Sequence, residues 1–130
     1  TLTMTENKAL IAALVAFVRT SFPDIDYDDS GIADPANFPI SVISGVVISQ
    51  GENGTRASFN VDHWSLAENH SADDLQTRCD GILSALNKKV IVFDTSNIFL
   101  VWFDNEVTEA EAPDYIHKVQ SFSGNIYYGG

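Results

Sequence analysis

The adjacent residues Asp62, His63 and Trp64 form the pattern in this sequence that most suggests catalysis. A histidine can act as a general base, and a carboxylate beside it can orient the imidazole ring. The three residues lie in an alternating run that predicts a strand, in which neighbouring side chains point to opposite faces. Asp62 is therefore badly placed to orient His63, and no Gly-x-Ser-x-Gly motif accompanies the pair. We expect His63 to be structural and the chain not to be an enzyme; a small hydrolase is the weakest alternative.

Metal-binding residue types are also present, at His63, His70, Asp73 and Asp74. Their spacing matches no zinc or calcium pattern. Asp73 and Asp74 have a simpler role, because carboxylates are favoured in the first turn of a helix. The sequence contains no phosphate-binding loop and no dinucleotide-binding glycine motif. We therefore expect neither a metal nor a cofactor.

Cys79 is the single cysteine, so the chain cannot form an internal disulfide and needs no oxidising compartment. It shares the apolar side of a predicted helix with Leu75, Ile82, Leu83 and Leu86. A free cysteine in such a position usually behaves as a small buried hydrophobic residue. We expect Cys79 to belong to the core and not to act as a nucleophile.

The charge balance narrows the classes of partner. Seven Lys and Arg against eighteen Asp and Glu give a net charge of −11 at pH 7. Such a chain repels phosphate backbones and anionic lipid, which disfavours specific nucleic-acid binding and membrane binding. The apolar run over residues 9–18 is about half the length needed to span a bilayer. The hydrophobic fraction of 45% is that of a globular protein.

Hydrophobic periodicity predicts two helices. The first spans about residues 4–20 and presents Leu10, Leu14, Phe17 and Val18 on one face, widened by two further apolar positions. Pro23 follows it as a stop signal. The second helix begins after Ser71, which is a suitable N-cap, and ends near two lysines at residues 88–89.

Strands fill most of the remaining chain. Alternating and β-branched runs predict strands over residues 40–50, 56–66, 90–93, 98–103 and 115–128, with a possible short edge strand at Ile25 and Tyr27. We expect a bend or bulge at Gly45 and a tight hairpin at Asn53-Gly54. The order α-β-β-α-β-β-β predicts one α+β domain over residues 1–130, a mostly antiparallel sheet with two amphipathic helices packed on it.

Two acidic segments, residues 24–34 and 106–114, are predicted to be long solvated loops. Loops on a compact scaffold are where binding residues concentrate. The C-terminal half is also rich in aromatic residues, more than a small two-layer domain can hide, and Tyr and Trp are enriched at interfaces. The candidate interface residues are Trp102, Tyr115, Tyr127, Asp26, Asp28, Asp29, Glu109 and Glu111.

The order of several loose motifs resembles one protein family. An amphipathic helix is followed by Asn37-Phe38-Pro39, which leads into a strand. The Asn-Gly hairpin then precedes the run from Phe59 to Trp64-Ser65, and a helix follows that ends in Ala85-Leu86. The last strand closes in Ile126-Tyr127-Tyr128. This layout resembles the tail terminator, or tail completion, proteins of long-tailed bacteriophages and gene transfer agents.

One departure concerns the last strand, which is often basic in that family. Here it carries only Lys118 and His117 as basic residues.

The resemblance implies a structural virion protein, made in the host cytoplasm and placed at the tail–head junction. Such proteins form a homohexameric ring that ends the tail tube and joins it to the head–tail connector or stopper protein. DNA would pass through this ring without specific binding, which suits an acidic chain. Two alternatives stay open: a neck or head-completion protein of the same joint, and an acidic inhibitor that mimics DNA.

Overall fold

The computed structural model describes residues 4–28, 40–52, 54–66, 72–112 and 115–129. The elements in chain order are α1 (Met4–Arg19), β1 (Asp26–Tyr27), β2 (Ile40–Gly51), β3 (Gly54–Leu66), α2 (Ala72–Leu86), β4 (Val90–Phe93), β5 (Asn97–Ala112) and β6 (Tyr115–Tyr127). The six strands in this part of the chain form one sheet in the order β1-β2-β3-β6-β5-β4. The predicted α+β class and element order are confirmed. The sheet is mixed, because β1 runs parallel to β2 while every other neighbouring pair is antiparallel.

Helix α1 begins and ends close to its predicted limits. Leu10, Leu14 and Val18 are fully buried, as the helical spacing requires, whereas Phe17 is only partly buried. The helix ends where the backbone nitrogens of Ser21 and Phe22 both bond to the Val18 carbonyl oxygen. Pro23, four residues after the end of the helix at Arg19, prevents continuation.

The β2–β3 hairpin confirms the turn expected from the Asn-Gly pair. Gly51 pairs with Gly54, whose φ of +109° is open to glycine and rare for other residues. Asn53 itself lies outside the described residues. A register shift between Ser44 and Val47 confirms the bulge, and Gly45 there has a φ of +60°.

The second acidic segment is not the loop that its composition suggested. Strand β5 continues to Ala112 and pairs with β6, for example Glu106 with Gln120 and Thr108 with Lys118. The carboxylate of Glu106 has partners there, because it accepts from Gln120 at 3.1 Å and lies 4.0 Å from the Lys118 ammonium. Paired acidic residues are compatible with a strand, so charge alone misled the prediction.

The first acidic segment is described only as far as residue 28. Its residues 26–27 form β1, and residues 29–34 lie outside the described part of the chain.

Both helices pack on one face of the sheet. Phe59 stacks on Phe122 with ring centroids 5.2 Å apart, and Phe99 meets Phe59 edge-on at 6.1 Å. Helix α1 contacts β2 and β4, which lie towards opposite edges of the sheet. Neither described helix is long and apolar enough to cross a membrane.

Candidate assembly surface

Alternation along the strands gives the sheet a helix-covered face and a second face, here called the open face, on which no described helix packs. Among the described residues, the large hydrophobic side chains that remain exposed lie on the open face, with one exception, Tyr128, which follows β6. They are Val47, Val90, Val92, Ile98, Trp102, Val107 and Tyr127. Single exposed apolar side chains are normal on a protein surface, whereas a cluster of them often marks a binding site. The open face is therefore a candidate binding surface.

Five of these residues lie together on strands β4, β5 and β6. Val92 pairs with Ile98, and Ile98 pairs in turn with Tyr127 across the next strand. The apolar patch is defined as Val90, Val92, Ile98, Trp102 and Tyr127. Trp102 is 43% exposed and Tyr127 is 54% exposed, so these two predicted interface residues stand on the surface as expected.

The third aromatic candidate, Tyr115, has a different environment. It lies at the other end of the open face, only half-exposed, with its ring 5.5 Å from that of Trp64. Trp64 is itself buried and stacks on His117 at 3.8 Å. Tyr115 therefore helps to cover an aromatic cluster, and a smaller part of its ring is available to a partner.

Asp62 lies beneath this cluster and contacts His117, not His63. Its Oδ1 atom accepts from His117 Nε2 at 2.7 Å, and its Oδ2 atom accepts from the Ser44 hydroxyl at 2.6 Å. His63 points to the opposite, helix-covered face. The geometric objection to an Asp62–His63 catalytic pair is therefore confirmed.

His63 is fully buried beneath α2 in a directional chain of hydrogen bonds. Its Nδ1 atom accepts from the Ser41 hydroxyl at 2.7 Å, and its Nε2–H donates to Gln120 Oε1 at 2.7 Å. Arg78 Nε donates to the same Ser41 oxygen at 2.5 Å. Burial lowers the pKa of His63 to about 4, so the ring is neutral at pH 7.

Sequence reasoning missed the Ser41–His63 contact, because the two residues are far apart in the chain. A serine hydroxyl on a histidine nitrogen is the geometry of an activated nucleophile. Here both side chains are completely buried and the oxygen is shared with Arg78, so a substrate cannot reach it in this structure. The arrangement supports a structural role for His63.

Gln120 extends the same network towards β5. Its amide nitrogen donates to the Cys79 carbonyl oxygen at 2.9 Å and to Glu106 Oε1 at 3.1 Å. Gln76 on α2 contacts both Glu106 and Lys118. These polar groups hold α2 on the sheet by directional contacts, in addition to the apolar ones.

Cys79 is fully buried, as predicted. Burial, with a smaller contribution from the nearby Glu106 carboxylate, raises the pKa of its thiol to about 12. The group therefore stays protonated at neutral pH, which is the state of an unreactive thiol.

The residues considered for metal binding are not all described. His70 lies outside the described residues, as do the side chains of Asp73 and Asp74. Among the residues that the structure does describe, no three His, Cys, Asp or Glu side chains converge on a common point. The absence of a metal stays a prediction.

The acidic interface candidates are placed only in part. Asp26 and Asp28 are exposed at the β1 edge, where Arg19 lies 3.6 Å from Asp26. Asp29 falls outside the described residues. Glu109 and Glu111 belong to β5 by their backbone, and their side chains are not described.

Comparison with known proteins shows likeness in structure only. No protein-family model matches the chain, and no curated protein matches it. Among solved structures, a chain from the virion of a native gene transfer agent particle is similar, with a TM-score of 0.68 and 15% identity. That match covers 95% of this chain and 98% of the other.

A second solved structure, whose name states no function, has a TM-score of 0.64 at 10% identity. It covers 100% of this chain and 99% of that one. At these identities the two matches show a shared fold.

Proposed function

We propose that this chain is a structural virion protein of the tail terminator kind, a subunit of a hexameric ring that ends the tail tube and joins it to the head connector. One observation carries the proposal: the fold coincides along almost the whole of both chains with a component of a gene transfer agent virion. Neither chain has a large region that lies outside this match. The resemblance found in the sequence motifs points in the same direction.

The open face supports an assembling protein. A folded chain gains little from leaving Trp102, Tyr127 and three aliphatic side chains on one surface, unless another molecule covers them. Buried Trp and Tyr often contribute much of the binding energy of an interface. We assign the apolar patch to the contact between neighbouring subunits of the ring, with Tyr115 in a supporting role.

The acidity of the chain fits a ring through which DNA moves. A hexamer would carry six times the net charge of −11. Many cationic contacts to phosphate would hold the DNA and oppose its passage, whereas an acidic lumen would not. We assign the contacts with the tail tube protein and the connector to the acidic residues, with Glu109 and Glu111 on β5 as candidates together with Asp29.

The test is the oligomeric state, measured by mass photometry across salt concentrations, with and without the tail tube protein of the same particle. We expect hexamers, either free or on the tube. Free rings should be weaker at low salt, because long-range repulsion between acidic subunits is then least screened. Monomers under every condition, including with tube protein present, would overturn the proposal and favour the acidic inhibitor. Binding to purified heads but not to tubes would favour the neck protein.

A further inference from the structure

We propose that the ring closes by a contact between the two opposite edges of the sheet, in which the β4 edge and apolar patch of one copy cover the acidic β1 edge of the next. The occupant of the open face is thus a second copy of this chain. The inference rests on the proposed ring, and it specifies which two surfaces meet. It also places Asp24, Asp26 and Asp28 in the contact between subunits and not in a contact with the tube.

The β4 edge is cationic beside its apolar residues. Lys88 and Lys89, both exposed, precede β4 directly. Their backbones are fixed, since Lys88 N donates to the Val101 carbonyl oxygen at 2.8 Å and Val101 N donates to the Lys89 carbonyl oxygen at 2.9 Å. The Lys88 ammonium lies 5.9 Å from the centre of the Trp102 ring. Positive charge and apolar surface therefore occupy one place on a chain whose net charge is strongly negative.

The β1 edge is acidic and equally well fixed. Asp24, Asp26 and Asp28 are exposed and alternate with Ile25, which is fully buried, and Tyr27, which packs against the core. Asp28 N donates to the Ile43 carbonyl oxygen at 2.9 Å.

Two arginines accompany these three carboxylates. Arg78 contacts Asp24 at 3.2 Å and Arg19 contacts Asp26 at 3.6 Å, yet those carboxylates remain 59% and 75% exposed. The edge therefore keeps a net negative charge and presents carboxylate oxygens to solvent.

The positions of the two edges explain why the contact would produce a ring. β1 and β4 are the outermost of the strands that the structure describes, and α1 lies between them and contacts both. A contact between two different patches repeats from copy to copy until it closes, whereas a contact between identical patches stops at a dimer. Joining like edges would also bring like charges together, which disfavours the dimer.

Attraction between opposite charges at the contact does not conflict with the expectation that the rings dissociate less as the salt concentration rises. The repulsion between whole subunits acts over long distances and is screened strongly. Pairs that are close together and shielded by apolar surface are screened much less. Salt therefore removes more of the repulsion than of the attraction.

A charge-reversal pair tests the inference. Lys88→Glu/Lys89→Glu makes both edges acidic, and Asp26→Lys/Asp28→Lys makes both edges basic. Each variant alone should assemble poorly, with the concentration for half-assembly raised about tenfold or more. Mixed in equal amounts, the two should form rings again, because each reversed edge then meets its complement. Native mass spectrometry should show three copies of each in a restored hexamer.

The matched control is Lys8→Glu/Ala12→Glu/Ala16→Glu, which places the added charge on the exposed side of α1. It lowers the net charge by four, as does the lysine pair at β4, so it separates a local effect from general repulsion. We expect it to assemble like the unmodified chain at moderate salt. The recovery on mixing excludes misfolding as the cause of the single-variant defects.

Hexamers that form equally well in either charge-reversed variant would overturn this inference and leave the proposed ring intact. Failure of the mixture to recover, when circular dichroism shows both variants folded, would also overturn it. Monomers of the unmodified chain under every condition would overturn the ring proposal and this inference together.

Discussion

The two faces of the sheet are built from the same strands and differ in how far their large apolar side chains are exposed. On the helix-covered face, Phe59 and Phe122 are completely buried, and the polar residues His63 and Gln120 are enclosed in hydrogen bonds. On the open face, large apolar side chains such as Trp102 stay exposed. Moving one residue along a strand therefore changes a side chain from one that stabilises the fold to one that is available for binding.

This contrast predicts that stability and assembly depend on different faces of the sheet. Substitutions on the helix-covered face should change the free energy of unfolding, whereas those in the apolar patch should mainly change oligomeric state. A protein that exposed these residues by chance would not show such a separation. The following predictions test it, from the largest expected effect to the smallest.

Phe122→Ala should have the largest effect. Its ring contacts Phe59 at 5.2 Å and Phe103 at 5.6 Å in the centre of the core, so truncation leaves a cavity. We expect a loss of about 3–5 kcal/mol in the free energy of unfolding. Urea denaturation followed by tryptophan fluorescence measures it. A change below about 1 kcal/mol would show that the helix-covered face does not form the core.

Acidification should destabilise the protein through His63. Its pKa is about 4 in the folded chain, against 6.5 for a histidine exposed to water, so the unfolded chain binds the proton more readily. Stability is thus greatest above the unfolded pKa and falls as pH drops from 6.5 to 4, by roughly 3 kcal/mol. The variant His63→Gln lacks this dependence. Unfolding free energies of both proteins should converge as pH falls, and parallel pH profiles would contradict the buried neutral ring.

Gly124→Ala tests how tightly β5 and β6 approach each other. A Cβ at this position would collide with the Leu100 carbonyl oxygen on the neighbouring strand and lie 3.2 Å from the Phe99 ring. Backbone atoms must then move, which should cost about 1–3 kcal/mol. Gly51→Ala is the control, since its Cβ would lie 3.9 Å from the nearest atom. Equal melting temperatures for the two variants would refute the close approach.

Trp102→Ala should have the smallest effect on stability and a clear effect on assembly. Because the side chain is 43% exposed, we expect a change within about 1 kcal/mol in the unfolding free energy of the monomer. Mass photometry should show fewer hexamers at the same concentration. A large loss of stability with unchanged assembly would reverse the roles assigned to the two faces.

Local patterns in the sequence predicted much of the fold correctly. The spacing of Leu10, Leu14 and Val18 identified α1, and Gly45 and Gly54 marked the bulge and the hairpin. These features depend on residues that are close together in the chain. Over such short segments, the hydrophobic period of a helix can be distinguished from that of a strand. The burial of Cys79 followed from the same periodicity.

Features that depend on strand register could not be obtained in this way. Nothing near Ser41 in the sequence indicates His63 or Arg78 as a partner, because the contacts arise from pairing across strands and from the position of α2. The length of β5 was also missed, since Glu106 finds its partners on β6 and α2. Of the interface candidates, Trp102 and Tyr127 proved exposed, whereas the packing of Tyr115 on Trp64 required the structure.

The central position of β6 affects how the chain reaches its fold during synthesis. β6 follows every other strand in the sequence but lies between β3 and β5 in the sheet. While it is still inside the ribosome, the β2–β3 hairpin and the β4–β5 hairpin lack the strand that joins them in the sheet. The complete sheet can therefore form only after β6 has emerged. The contacts between β3 and β6 join residues that are distant in sequence, and such contacts form slowly. Any contact between copies that uses the complete sheet must therefore wait until β6 has been translated.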